Sequence, residues 1–175
     1  GRLVYPNYEE LIALSAAAAV TSRIRLTTSV LLAPLYANTA LFAKQAASLD
    51  RLSGGRLVLG LGLGGRDDDF TASALPTTGK GRRFDQQLTE MKRIWAGESY
   101  GYAGAIGPEP VRPGGPELIL GGAAEASFRR VALLGDGWFM GGGTPDMFAA
   151  GAAAVDKAWA EAGRPGKARK LSLAY

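Results

Sequence analysis

In Leu49-Asp-Arg-Leu-Ser-Gly-Gly-Arg-Leu-Val-Leu-Gly-Leu-Gly-Leu-Gly-Gly-Arg-Asp-Asp-Asp-Phe70 a helix ends, two glycines stop it, an apolar strand follows, and a glycine-rich turn leads away. Helix, short loop, buried strand and backbone-exposing loop form the repeating unit of an α/β barrel or a doubly wound sheet. In both, ligands bind in the loops at the carboxyl ends of the strands.

The same rhythm extends in both directions. Asn7 and Glu10 have capping-box spacing and open a helix to about Val20. Ile24 to Leu32 is apolar and β-branched, carries Thr27, Thr28 and Ser29, and stops at Pro34, as one buried strand would. Thr39 to Leu52 is helical, with Phe42, Ala46 and Leu49 on one face, and Arg56 to Leu63 is the next strand. Gly64 to Arg82 lacks periodicity and reads as a long loop, with no helix until about Phe84. Phe84, Leu88, Met91 and Trp95 then share a helical face. After an irregular connector from Tyr100 to Gly115 come a strand (Glu117 to Leu120), a helix (Glu125 to Leu134) and a strand (Gly137 to Met140). A helix opened by Thr144-Pro145 follows, with Phe148, Ala152, Val155, Trp159 and Ala162 inward, and then a strand from Lys170 to Ala174. Strands separated by single helices imply parallel pairing with right-handed crossovers.

At 175 residues the chain reads as one domain, 1–175, with an ordinary core. It has no cysteine and no histidine, which excludes disulfides, thiolate metal sites, imidazole ligands and a Ser-His dyad. The net charge of +4 is scattered, so nucleic acid is not an expected partner. No apolar run reaches the ~20 residues of a membrane span. The expected compartment is the cytoplasm. Trp95, Trp138 and Trp159 sit at core positions.

Gly60, Gly62 and Gly65 spell G-x-G-x-x-G, but a dinucleotide site needs a helix opening inside the motif, and none is expected there. More informative are three successive strand exits: Gly62-Leu-Gly-Gly65, Gly121-Gly122 and Gly141-Gly-Gly143. Glycine there bares main-chain N–H groups, and the two later exits run into helix N-termini, which attract anions. Ser127 adds a hydroxyl in the first turn of its helix. The same glycines would also serve simple tight turns. Asp67, Asp68 and Asp69 read as a solvated turn rather than a metal site, and Arg66 either stands beside an anion or balances those acids.

Four segments resemble the bacterial-luciferase-like family of flavin-dependent oxidoreductases. They are Ser22-Arg-Ile-Arg-Leu-Thr-Thr-Ser-Val30, Lys44 through the Leu52-Ser-Gly-Gly-Arg56 turn to Gly64, Arg83-Phe-Asp-Gln-Gln-Leu-Thr-Glu-Met-Lys-Arg-Ile-Trp95, and Leu118-Ile-Leu-Gly-Gly122 with Gly135-Asp-Gly-Trp138. The resemblance implies an incomplete TIM-type barrel, with these strands as barrel strands three to seven and Gly64–Arg82 in the insertion region after strand four. It implies FMN or the deazaflavin F420 as cofactor, a small organic substrate, a separate flavin reductase and a homodimer. It also implies a non-prolyl cis peptide at Ser29-Val30 under the ring. Leu63, Gly64 and Gly65 would border the cofactor. Gly121, Gly122, Ala124 and Ser127 would hold the phosphate with Gly141, Gly142 and Gly143. Luciferases proper carry an arginine where Leu63 stands, so the phosphate here needs another cation, and Arg66 is the candidate. No proton-transfer residue is identified. A chain starting mid-fold at Gly1 without Met reads as a fragment. Two rival readings are a catalytically silent flavin-binding or scaffold protein and a sugar-phosphate-type barrel enzyme.

Overall fold

The computed structural model describes residues 5–173. In chain order the elements are α1 (Glu10–Val20), β1 (Leu26–Thr27), β2 (Leu31–Leu32), α2 (Thr39–Leu52), β3 (Leu57–Gly62), α3 (Asp67–Ala72), α4 (Lys80–Trp95), β4 (Glu117–Gly121), α5 (Glu125–Leu134), β5 (Gly137–Met140), α6 (Pro145–Glu161) and β6 (Arg169–Ser172). The strands are all parallel, in the order β1-β3-β4-β5-β6, with β2 pairing the same edge of β3 further along.

Strand alternation divides the buried residues into two faces, and the division identifies the architecture. Leu57, Leu59, Leu61, Leu118, Leu120, Trp138 and Met140 point to one side. There they join the buried faces of the helices, including Phe42 and Leu49 of α2, Leu88, Met91 and Trp95 of α4, Val131 of α5 and Val155 and Trp159 of α6. Val58, Ile119 and Phe139 point to the other side and form a separate cluster with Val30 and Leu171, to which no helix among the described residues contributes. A doubly wound sheet would bury helices on both faces; a sheet with helices on one face only is part of a barrel wall.

The Leu52-Ser-Gly-Gly-Arg56 turn has a mechanical role. Arg56 donates from Nε to the Ser53 carbonyl, from Nη1 to the Thr21 hydroxyl and the Ile24 carbonyl, and from Nη2 to the carbonyls of Ala18 and Thr21. These acceptors include the last-turn carbonyls of α1, which have no partner within their own helix. One guanidinium therefore fastens the end of α1 to the start of β3. Asp50, buried on α2, accepts from the Val111 N–H at 2.8 Å and fixes the long connector that leads to β4.

The structure departs from the sequence reading at six points. The Ile24–Leu32 strand is two short strands separated by a bulge at Thr28–Val30, because the Thr28 hydroxyl takes over the pairing with Gly60. Segment 64–82 is not one loop: α3 lies within it and α4 begins at Lys80. Three aspartates in the first turn of α3 are favourable at the positive end of a helix, which the reading of them as a solvated turn overlooked. The cap of α1 is Glu9, whose Oε2 accepts from the Ile12 N–H, while Asn7 donates to the Tyr8 carbonyl. Ala162 is the exposed C-cap of α6 rather than an inward residue. Finally, β6 starts one residue earlier, and Ala174 lies outside the described residues.

Candidate flavin-phosphate site

The carboxyl ends of β3, β4 and β5 lie side by side, and their three glycine exits do different things. At β3, Gly60 and Gly62 are occupied by the neighbouring bulge. A Cβ on Gly60 would stand 1.9 Å from the Thr28 carbonyl oxygen, and one on Gly62 would stand 2.8 Å from Val30 Cγ2. These two glycines admit backbone and side chain from β1–β2, not a ligand. The G-x-G-x-x-G spelling is thus a packing feature, even though a helix does open soon after it. The Ser29–Val30 peptide within the bulge is cis.

Beyond β3, Leu63 and Gly64 are half-buried and Gly65 is exposed. Gly64 has φ +72°, and a Cβ there would stand 3.3 Å from Leu32 and 3.4 Å from Phe70. Its carbonyl accepts from Lys80 Nζ at 2.8 Å. Arg66 is engaged with the first turn of α3. Its guanidinium forms an ion pair with Asp68 at 3.0 Å, is exposed, and is held above its ordinary pKa by that carboxylate.

The β4 exit has the features of an anion cradle. Gly122 has φ +137°, and a Cβ there would stand 2.3 Å from Ser127 Oγ. Only glycine lets the buried Ser127 side chain lie against the loop. Ala124 is the N-cap of α5 and offers no side-chain cap, so no side chain takes up the first-turn amides of this helix. By contrast, α6 is capped by Thr144, whose hydroxyl accepts from the Met147 N–H. The free helix end therefore belongs to β4–α5 rather than to β5–α6.

The two later exits border one cavity of about 530 Å³, lined by Gly122, Ala123, Gly141 and Gly142 together with Phe128, Trp138 and Met147. Trp138 donates from Nε1 to the Gly122 carbonyl at 2.7 Å and stacks on Phe148, which fixes the wall. Gly141 and Gly142 face this space. Gly143 is taken up by its own surroundings, since a Cβ there would stand 2.4 Å from Met140 Cε. Among the described residues no charged side chain lines the cavity. The structure thus brings Gly122, Ser127, Gly141 and Gly142 together with Gly121 and Ala124 and sets Arg66 aside. Lys80, which the sequence reading left within the long 64–82 loop and among scattered basic residues, reaches the β3 exit. Its signal was available in the Lys80-Gly-Arg-Arg83 run opening a helix.

A family model for luciferase-like monooxygenases matches residues 4–174. The chain belongs to that family, and its parallel strands with helices on one face are half of a TIM-type barrel. Among relatives, an uncharacterized protein of Mycobacterium tuberculosis is 33% identical over 170 residues, covering 93% of this chain and 60% of that protein. An FMNH2-dependent dimethylsulfone monooxygenase of Pseudomonas putida is 26% identical, covering 95% of this chain and 48% of its own length. The crystal structure of the monooxygenase RslO1 from Streptomyces bottropensis superposes with a TM-score of 0.81 at 26% identity, over 93% of this chain and 53% of that one. The chain spans about half to three-fifths of the length of these proteins.

Proposed function

We propose that the protein is a flavin-dependent oxidoreductase of the monooxygenase type, using reduced FMN on a small organic molecule, with F420 as the alternative cofactor. The observation that carries this reading is the β4 exit. A positive-φ glycine makes room for the buried Ser127 hydroxyl at the uncapped N-terminus of α5, a form suited to a phosphate monoester. Gly121, Gly122, Ala124 and Ser127 would hold the phosphate, with Gly141 and Gly142 across the cavity. The ring would lie toward Ser29, Val30, Leu63, Gly64 and Gly65 on the concave face. A reduced flavin supplies hydride transfer or oxygen activation when bound. The chain's own residues bind its tail, orient it and line a partly apolar space that excludes water.

A separate flavin reductase and a homodimer belong to the same proposal, as does a cytoplasmic location. For the homodimer, Ile12 and Val20 on the outward side of α1 are exposed apolar side chains. Among the described residues no helix is long and apolar enough to cross a membrane.

Difference absorbance on titration with FMN and with F420, followed by turnover of the reduced cofactor with oxygen, tests the reading. A perturbed flavin or deazaflavin band with altered reoxidation supports it. Binding without any effect on reoxidation favours the silent-binder alternative. Failure to bind either cofactor, with retention of a sugar phosphate, favours the barrel-enzyme alternative.

A further inference from the structure

A phosphate gripped only by amides and one hydroxyl still carries its charge, and no charged side chain among the described residues lines the cavity beside Gly122. Arg66, the residue the sequence offers for that charge, is committed to Asp68 in solvent. We propose that Lys80 is the cation of the cofactor site. This rests on the flavin or deazaflavin reading above and assigns the residue that meets the phosphate charge.

Three observations carry it. First, Lys80 is the opening residue of α4, and its ammonium reaches back to the Gly64 carbonyl at 2.8 Å, two residues beyond the end of β3. Strands β3 and β4 are paired in register through Leu61 and Leu120. The residues two beyond each strand, Gly64 and Ala123, therefore leave the sheet at the same end, from strands that lie about 5 Å apart where they pair. The ammonium therefore stands at the same end of the sheet as the β4–α5 loop, beyond the neighbouring strand.

Second, its contacts are neutral. The half-buried ammonium touches a carbonyl and lies 5.2 Å from the centre of the Phe70 ring, and it makes no ion pair among the described residues. An ammonium has three donors, and the Gly64 carbonyl takes one of them. Third, the helix does not account for the charge. The first turn of α4 contains no acid, and a cation there opposes the helix dipole, which favours negative charge at that end. A cation placed against its own helix, without an ion pair among the described residues and at the carboxyl end of the sheet, is poised for an anion from outside the chain.

Lys80 also holds the Gly64 turn, so the test must separate charge from support. Glutamine at this position can still donate to the Gly64 carbonyl but carries no charge; methionine does neither. We would measure FMN against riboflavin, and F420 against its phosphate-free deazaflavin alcohol, by fluorescence quenching at low and high salt. Thermal unfolding of wild type, Lys80→Gln and Lys80→Met would be followed in parallel. The expected result is that both variants weaken the phosphate-bearing cofactor by roughly tenfold or more at low salt, with the gap narrowing at high salt. The phosphate-free ligand is expected to be bound as in wild type. If Lys80→Gln keeps wild-type affinity for the phosphate-bearing cofactor, or the phosphate-free ligand is lost in parallel, Lys80 only supports the turn and the assignment is overturned. A wild-type protein that binds none of the four ligands overturns the cofactor reading itself, and the role of Lys80 with it.

Discussion

Thr28 and Gly60 exchange a pair of hydrogen bonds through one side chain: the Thr28 hydroxyl donates to the Gly60 carbonyl and accepts from the Gly60 N–H, both at 2.8 Å. A threonine hydroxyl here does the work of a strand's main chain. This lets the chain leave the ladder between β1 and β2 without orphaning buried polar groups on β3. The glycine is required by the same contact, because a Cβ on residue 60 would lie 1.9 Å from the Thr28 carbonyl oxygen. Gly60→Ala is therefore expected to force the two strands apart and to lower stability by about 3 kcal/mol or more in denaturant unfolding. Gly62→Ala meets only the Val30 side chain, at 2.8 Å. Its cost should fall when combined with Val30→Ala, and an unchanged cost in the double variant would refute this packing account.

Arg56 supports the frame from the opposite end of β3. Its donors serve five oxygens, among them the last-turn carbonyls of α1. Arg56→Ala should cost about 2–4 kcal/mol, because part-buried acceptors lose their partners. Arg56→Lys should recover only part of it, since an ammonium cannot span the same fork of acceptors. Hydrogen exchange should show the added loss concentrated in α1. Protection falling evenly over the whole chain would contradict a fastening role.

Much of this frame was legible in the sequence, and the failures have specific physical sources. The bounds of α2, α5 and β5 follow from apolar spacing and glycine stops, and the structure places them where the sequence reading does. Periodicity could not reveal that Thr28 substitutes for a backbone, because an apolar run with threonines looks the same in a straight strand. Composition pointed away from a helix at Asp67, where acids in fact suit the helix start. At the site, the glycine exits were visible as a set but not their separate duties. Gly60 and Gly62 admit a neighbouring strand, Gly143 admits Met140, and Gly122 admits Ser127. Such distinctions depend on what stands opposite each Cα, which one strand's sequence does not contain.

Tyr36 gives the chain a high-pH liability. Its hydroxyl donates to Glu9 Oε1 at 2.8 Å and its ring stacks on Phe42. Burial first, and then the hydrogen bond and negative charge of Glu9, push the phenol far above its ordinary value. In the unfolded chain the phenol ionises near pH 10, while the folded one stays protonated. The folded state then holds more protons, so stability is intact below about pH 10 and declines above it, by up to about 1.4 kcal/mol per pH unit from this group. Tyr36→Phe should flatten that decline. An absorbance titration near 295 nm should lack one tyrosine until unfolding, and a Tyr36 that titrates in the native protein would refute the assignment.

Ser127 offers the most direct probe of the proposed phosphate grip, because its side chain is buried against Gly122 and its own N–H already donates to the Ala124 carbonyl at 2.8 Å. Ser127→Ala removes one oxygen and leaves the helix backbone bonds in place, so stability should change by less than about 1 kcal/mol. Affinity for FMN should fall roughly tenfold to a hundredfold, the worth of a hydrogen bond to a charged group, with riboflavin unaffected. Gly122→Ala should be far harsher. Its Cβ would sit 2.3 Å from the hydroxyl oxygen and 2.7 Å from Ser127 Cβ, at φ +137°, so trimming Ser127 to alanine would leave the second clash intact. The double variant should therefore bind FMN as poorly as Gly122→Ala alone. Recovery in the double variant would mean that the loop is freer than its packing implies, and that the phosphate is not held by a preformed turn.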